Sequence, residues 1–337
     1  MIWGIRQIIA TKEISSMEKT LNWGGQKREQ SIELLRIVLM TLIVFGHFVL
    51  FGYHSRINSD GSLNLSAYLP PLYLYHVDAF VFISGYFGIN LKWRKVALLI
   101  VKMMICSLFA IGLAILIMPD FKLTLSSLLK NVYPISACDW WFMAQYLFLM
   151  LLSPFLNAGM EKLNKRQATI LVGVLYLSWF RCTSVLLLFI YILGRYFRKY
   201  PCIFLEKNAG KIFITSVVVF FALNYYLMNE GIYIQKMYDY MSPFNVISAV
   251  SLFYVFKKWH ITWGGIGSIA SGVLAAYLIT THELPRQAFN DYFFELEQGN
   301  TIALLLTSLI VVVACSGIDM IVTRLLAPIC NIGSKKE

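Results

Sequence analysis

The stretch SIELLRIVLMTLIVFGHFVLFG, residues 31–52, decides the fold of this chain. Its apolar part is long enough to cross a bilayer, which requires about 20 residues of helix. It nevertheless carries Glu33, Arg36 and His47. Because a helix advances about 100° and ~1.5 Å per residue, Arg36 and His47 lie within about 20° of one face and ~16 Å apart. Such groups are costly inside a membrane, so this stripe predicts a functional site.

The composition extends this interpretation to the whole chain. Of its 337 residues, 58% are hydrophobic and 14% are charged, and the mean hydropathy is +0.66. Soluble domains are usually about 45–50% apolar and about 25% charged. The apolar runs are continuous, whereas a membrane barrel would show short alternating segments. We therefore predict an all-α fold, a polytopic transmembrane helical bundle.

About ten segments are long and apolar enough to be membrane spans. Placing the N-terminus inside leaves 21 lysines and arginines on the inner segments and six on the outer ones. This bias predicts that both termini are cytoplasmic. Fusing the two short spans around Arg181 would invert every later loop, and we keep them separate. The predicted spans are 32–52, 71–91, 96–118, 140–160, 168–180, 184–197, 212–229, 242–257, 263–281 and 301–318.

The spans divide the chain into three parts. We predict a cytoplasmic tail at 1–31, a transmembrane domain at 32–326 and a second cytoplasmic tail at 327–337. The first tail is weakly amphipathic, and Met17 offers a second start within it. The net charge of +11 follows from basic inner loops, so no nucleic-acid partner is predicted. The six cysteines form no Cys-x-x-Cys pair, so no metal site is predicted.

Two spans carry the groups most suited to chemistry. With the N-terminus inside, Arg36 lies about one turn into the membrane and His47 lies in the outer half. Glu33 can pair with Arg36 at spacing i,i+3. Histidine is the natural general base near neutral pH. The alternative is that Arg36 snorkels to the headgroups and His47 is an ordinary helix contact.

The second span, in the run YHVDAFVFISGYFGIN, adds a carboxylate. Asp78 lies within aromatic and aliphatic residues, where it needs a partner or a proton. His76 is nearer the outer surface and is predicted to be an interfacial histidine. Ser84 and Gly85 form a small, polar point where another helix can approach closely.

The order of these runs resembles the acyltransferase-3 family of membrane O-acyltransferases. That family has an arginine, ten residues and a histidine in its first span, as Arg36 and His47 do here. An F-x-x-SGYF type stretch ends its second span. Six blocks occur in the family's order: LLRIVLMTLIVFGHF (34–48), FVFISGYF (80–87), YPISACDWWFMAQYLFLMLLSPFLN (133–157), LFIYILGRYFRKY (188–200), SPFNVISAVSLFYVF (242–256) and AYLITTHELPRQ (276–287).

The resemblance implies an enzyme that takes an acyl group, usually acetyl, from cytoplasmic acetyl-CoA or another acyl-CoA. It passes that group to a hydroxyl of an extracytoplasmic glycan, such as exopolysaccharide or surface polysaccharide. The setting would be the cytoplasmic membrane of a bacterium, with glycan-assembly proteins as possible partners. CoA would be a substrate, and no cofactor would be bound permanently. His47 would act as general base or as acyl-carrying nucleophile.

The remaining site residues are predicted by role. Asp78 would orient His47 or neutralise Arg36. Arg36 would also meet the CoA phosphates, since arginine offers a planar fork to phosphate. Arg94 and Lys95 would join it, although a basic loop that only sets topology is the alternative. Substrate contacts are predicted at Glu33, Ser84, Trp141 and His282; the last of these lies two positions late against the family block.

Three other classes of protein remain open at this point. Polar residues in spans also suit a transporter or flippase for a glycan precursor, although paired broken helices are not visible. A glycan polymerase usually needs a larger outer loop than the twenty or so residues at 52–70 or 282–300. A structural subunit of a membrane complex has no use for a polar stripe.

Overall fold

The computed structural model describes residues 29–58, 60–118, 122–132, 140–178 and 185–332. In these ranges the chain forms helices and no β-strand, which confirms the all-α prediction. Arg181, the PISACD part of the third family block and the tail before residue 29 lie outside the described residues. The α-helices are α1 (Gln30–Gly52), α2 (His76–Phe87), α3 (Trp93–Ile117), α4 (Leu125–Val132), α5 (Trp141–Lys162), α6 (Lys165–Ser178), α7 (Leu186–Lys199), α8 (Ile203–Asn229), α9 (Pro243–Lys257), α10 (Gly265–Thr280), α11 (Arg286–Leu296) and α12 (Thr301–Ile332).

Five of these helices are long and apolar enough to cross a membrane. They are α1, α3, α5, α8 and the Thr301–Leu326 part of α12. The other five predicted spans correspond to α2, α6, α7, α9 and α10, which have only 12 to 16 residues. At ~1.5 Å per residue such helices rise about 18–24 Å, less than the ~30 Å hydrocarbon core. The five long apolar helices make the chain a membrane protein. The total of ten spans and the cytoplasmic placement of both termini stay predictions.

Helices α6 and α7 form an antiparallel pair. The Thr169 hydroxyl lies 3.0 Å from the Tyr196 hydroxyl, at one end of the pair. Towards the other end the Tyr176 and Phe189 rings are 5.4 Å apart. From the first contact to the second, the residue number rises along α6 and falls along α7, so the two helices run in opposite directions. The short spans are thus two helices and not one fused helix.

Polar contacts between helix ends occur at two opposite ends of the bundle. At one end, the Asn157 side-chain amide donates to the Ile89 carbonyl at 3.0 Å, and Arg195 pairs with Glu161 at 2.8 Å. At the other, Tyr68 donates to Asn229 Oδ1 at 3.2 Å. The first of these ends also holds the basic segments 92–95, 162–166 and 195–199, and we call it the basic end. The second is the opposite end. This arrangement matches the alternation of predicted inner and outer loops.

Helix α1 is the centre of the bundle. It contacts α2, α9, α10, α11 and α12, and most of its side chains are buried. A helix that is apolar around its whole circumference lies either in a protein core or against lipid, and the burial of α1 favours the first environment. At the opposite end, Phe48 packs on Phe289 and Phe293 of the short helix α11. The polar residues of α1 therefore face other protein elements more than lipid.

Glycine lets α2 and α7 approach closely. A Cβ atom on Gly194 would lie 2.6 Å from the Tyr86 backbone nitrogen and 2.7 Å from the Phe82 carbonyl oxygen. Both atoms belong to α2 and cannot rotate away. Small residues at such crossings are the usual means by which membrane helices pack. The contact holds Ser84 and the end of α2 against the rest of the bundle.

We expect Gly194→Ala to lower the stability of the folded protein by about 1–3 kcal/mol, because the added methyl group overpacks a backbone contact. The measurement is the thermal melting temperature of the purified protein in detergent. Gly173→Ala is the matched control, since Gly173 is also helical and a Cβ there meets nothing within 4 Å. The control variant should melt at the wild-type temperature or slightly above it, because alanine favours helix. Equal melting of both variants would contradict the close packing.

Candidate active site

A cavity of about 180 Å³ lies beside the first half of α1. This is near the ~150 Å³ of an apolar cavity that holds benzene, so it fits part of a larger ligand and not a whole CoA. Arg36 lines it, and its Nη1 donates to Glu33 Oε1 at 2.9 Å. The Glu33 side chain is 3% exposed and that of Arg36 is 22% exposed. The predicted pair is therefore present, and it neutralises the arginine on its own helix.

Residues of other helices that were predicted to belong to the site also line the cavity. Ser84 of α2 lines it, and its hydroxyl lies 3.1 Å from the hydroxyl of Tyr146 on α5. Lys95 of α3 lines it as well, whereas Arg94 does not. Of the three residues predicted to meet CoA phosphates, the cavity thus unites Arg36 and Lys95.

The cavity is also lined by Tyr146, Lys102 and Asp319, to which the sequence prediction gave no role. Tyr146 lies in the third family block, and its tyrosine was visible there as part of the pattern. Lys102 was visible as a lysine inside a span. Its Nζ lies 2.7 Å from Oδ2 of Asp319 on α12, and both side chains line the cavity. The partner of Lys102 is 217 residues away, and no local pattern identifies it.

His47 lies outside this cavity, further along α1 towards the opposite end. It is partly buried, and its Nδ1 atom is buried without a hydrogen-bond partner among the described residues. Next to it, a Cβ on Gly46 would meet the Tyr73 ring at 2.8 Å, so the segment before α2 lies tightly against α1. Arg36 and His47 therefore belong to two separate environments on one helix.

The start of α2 is buried against α1 and the segment before α9. His76 is 5% exposed, and its ring lies 6.0 Å from that of Tyr240 and 6.3 Å from that of Tyr73. These tyrosines cover His76 within the protein, and its position at the membrane interface stays a prediction. Tyr73, which packs on Gly46 beside His47, is also one of the rings next to His76. Both histidines therefore lie near Tyr73, at the opposite end of the cavity helix.

Asp78 is fully buried and has no partner for either oxygen among the described residues. It forms no hydrogen bond with His47 or Arg36, so the predicted orienting or neutralising contact is absent. Arg36 is already paired with Glu33, one turn away on α1. A buried carboxylate without a partner is costly unless it is protonated or a ligand supplies the missing bonds.

Aromatic side chains surround the Asp78 region. Trp141, predicted as a substrate contact, stacks on Tyr240 with ring centroids 5.7 Å apart and remains 41% exposed. Tyr240 lies in the loop before α9, where burial raises its pKa above the usual value and the charge of Asp78 adds to this shift. The phenol therefore stays protonated at neutral pH and can donate a hydrogen bond. Trp141, Tyr240, His76 and Asp78 form what we call the aromatic cluster.

His282 does not line the cavity and is not one of the residues of the aromatic cluster. It is fully buried, and its Nε2 atom lies 3.0 Å from the Ser107 hydroxyl of α3. Its Nδ1 accepts a hydrogen bond from the Leu284 amide at 3.3 Å, and its ring packs edge-on against Trp140. It ties the loop after α10 to α3, and its predicted substrate contact stays untested. Within the described ranges no three histidine, cysteine or acidic residues are grouped so as to hold a metal ion.

Comparison with known proteins identifies the family. A family model described as an acyltransferase domain matches residues 29–319, which is most of the chain. The match covers α1 to α11 and most of α12, including Arg36, His47, Asp78 and the Lys102–Asp319 pair. Searches of curated proteins and of solved structures returned no match. The predicted resemblance is therefore confirmed at the level of the family.

We expect His282→Ala to destabilise the protein by about 2–4 kcal/mol, because it removes buried hydrogen bonds and leaves space beside Trp140. The thermal melting temperature in detergent measures this loss. His260→Ala is the matched control, since His260 is exposed and bonds only locally, to the Lys258 carbonyl. If the two variants have the same melting temperature, His282 does not have this structural role.

Proposed function

The chain belongs to the acyltransferase-3 family, and on that premise we propose that it moves an acetyl group from acetyl-CoA to a glycan hydroxyl. The observation that carries the proposal is the division of α1 into two environments. Arg36 borders a cavity near the basic end, and His47 lies eleven residues on, near the aromatic cluster. A donor with anionic phosphates and an acceptor with sugar hydroxyls need such different surroundings.

The donor side is supported by charge. CoA carries several phosphate charges, and the three segments of the basic end hold nine lysines and arginines. Lys95, one of them, lines the cavity together with Arg36. The rest of the cavity wall is largely apolar, which suits a thioester and the arm that carries it. We propose that the phosphates stay at the basic end while the arm enters the cavity.

The acceptor side is supported by the aromatic cluster. Sugar rings present apolar faces that pack on aromatic rings, and hydroxyl edges that need hydrogen-bond partners. Trp141 offers a partly exposed ring, and Asp78 offers two buried oxygens without partners. We propose that an acceptor hydroxyl supplies the missing partner of Asp78. The acceptor class is then an exopolysaccharide or surface polysaccharide on the outer side of a bacterial cytoplasmic membrane.

The reaction joins the acceptor oxygen to the acetyl carbonyl carbon. As this bond forms, His47 takes the hydroxyl proton, and the carbon–sulfur bond breaks when the tetrahedral intermediate collapses. The CoA thiolate leaves and takes up the proton that His47 carries. In a second route, His47 first receives the acetyl group as a nucleophile and then passes it to the acceptor. The orphaned Nδ1 of His47 is compatible with either route.

The enzyme needs no permanently bound cofactor for this chemistry, since the acyl-CoA is consumed as a substrate. Proteins that assemble the glycan are proposed partners, because they would supply the acceptor at the membrane. No step of the proposed reaction involves nucleic acid.

We expect His47→Ala to lower acetyl transfer by at least about 100-fold, because it removes the proton acceptor or the nucleophile. The measurement is label transferred from radioactive acetyl-CoA to glycan in membranes that contain equal amounts of folded protein. His260→Ala should retain wild-type transfer. Wild-type transfer by His47→Ala would defeat the proposed mechanism.

Arg36 requires a double variant, because Arg36→Ala alone would leave Glu33 buried without its partner. We expect Arg36→Gln/Glu33→Gln to accumulate in membranes and to lose most acetyl transfer through weaker donor binding. Cells that lack the gene should still make the glycan, but without its acetyl groups. Loss of the glycan itself would indicate a flippase or polymerase instead.

A further inference from the structure

Lys102 and Asp319 form an ion pair inside two candidate membrane spans. Lys102 Nζ lies 2.7 Å from Asp319 Oδ2, and the two side chains are 12% and 7% exposed. Ionisable groups at such positions are costly to insert and commonly mark a functional site. The pair lines the Arg36 cavity and carries no net charge. It therefore adds polarity to that cavity without adding to its positive charge.

The pair retains unused hydrogen-bonding capacity. An ammonium group has three donors, and the bond from Lys102 to Asp319 uses one of them. Both hydrogen bonds that Asp319 accepts from described residues, from Lys102 and from Thr323, end on Oδ2. Oδ1 is left for a donor from a bound molecule. The pair can thus offer the cavity one N–H donor and one carboxylate acceptor side by side.

Packing fixes the position of the acceptor half. A Cβ on Gly272 of α10 would lie 2.7 Å from the Ser316 carbonyl oxygen and 3.1 Å from Asp319 Cβ. Helices α10 and α12 therefore touch at the level of Asp319. A carboxylate held between two closely packed helices is preorganised for a directional contact.

The depth of the Lys102–Asp319 pair in the cavity indicates which part of a CoA molecule it binds. Lys102 follows Lys95 by seven residues, so it lies on the same face of α3 and ~10 Å further from the basic end. The Arg36–Glu33 pair is neutral too, but Lys95 and the basic end give that part of the cavity a net positive charge, which suits a phosphate. The Lys102–Asp319 pair lies ~10 Å deeper and suits a neutral group. A trans secondary amide points its carbonyl and its N–H in opposite directions, so a donor and an acceptor lying side by side match the carbonyl of one amide and the N–H of a second one. The pantetheine arm of CoA contains two secondary amides.

We propose that Lys102 and Asp319 bind the two secondary amides of the pantetheine arm and so set how far the thioester reaches along α1. This inference rests on the proposed function, because it requires a CoA thioester as donor. Lys102 Nζ donates to the carbonyl of one amide, and Asp319 Oδ1 accepts from the N–H of the other. Arg36 and Lys95 remain with the phosphates.

The test compares the binding of two probes to the purified full-length protein. CoA contains both phosphates and arm, whereas adenosine 3′,5′-bisphosphate has phosphates and no arm. The variant is Lys102→Met/Asp319→Asn, which leaves no unpaired buried charge behind. We expect its CoA affinity to fall by about ten-fold or more, as for a lost charged hydrogen bond, with unchanged affinity for the bisphosphate. Lys122→Met is the matched control, because Lys122 is an exposed lysine outside the cavity and outside the three basic segments.

Each other result has a defined meaning. Equal weakening of both probes would overturn the amide assignment and make the pair a phosphate site. Unchanged binding of both probes, with a lower melting temperature alone, would reduce the pair to a structural link between α3 and α12. If the wild type binds neither probe, the proposed CoA donor itself is wrong, which differs from failure of the pair alone.

A second measurement needs no variant. Pantetheine has both amides and no phosphate, so it should compete with CoA for the wild-type protein, and 2-mercaptoethanol at the same concentration should not. Absence of competition by millimolar pantetheine would overturn the assignment even if the double variant failed to fold.

Discussion

Every charge inside this helical bundle must find a partner, because apolar surroundings stabilise an isolated charge poorly. Glu33 provides that partner for Arg36, and Asp319 provides it for Lys102. The two pairs arise differently, since one lies within a single helical turn and the other joins residues that are 217 positions apart in the sequence. Together they border one cavity. The need to pair charges therefore helps to bring α1, α3 and α12 together around the donor side of the site.

Two buried polar groups near the opposite end of α1 do not have such partners among the described residues. Asp78 is fully buried without a partner, and His47 has a buried nitrogen without one among the described residues. A protein tolerates such groups where a ligand completes their hydrogen bonds or where chemistry needs them unoccupied. The contrast between paired charges at one end of α1 and unsatisfied groups at the other supports the proposed direction of acyl transfer. Close glycine contacts, such as that of Gly194 with α2, help to hold these groups in place.

Much of the fold followed from local patterns in the chain. Each of the ten apolar runs corresponds to a helix, because continuous hydrophobicity and helical hydrogen bonding are local requirements in a membrane. Spacing also predicted the Glu33–Arg36 pair, which a single helical turn makes possible. Helix lengths were less predictable, since apolar residues before α2 form a 3₁₀ turn at Pro70–Leu72 and irregular segments instead of more α-helix.

The sequence by itself determined that this is a helical membrane protein of an acyltransferase family, with Arg36 and His47 on its first span. Composition, spacing and the order of motifs are one-dimensional properties and need no knowledge of contacts. Only the tertiary structure decided that His76 is covered by tyrosines, that His282 bonds to Ser107, and that Asp319 meets Lys102. These outcomes join residues as far as 217 positions apart. Their physical reason is the packing of whole helices, which depends on the combined shape and charge of surfaces that no short stretch contains.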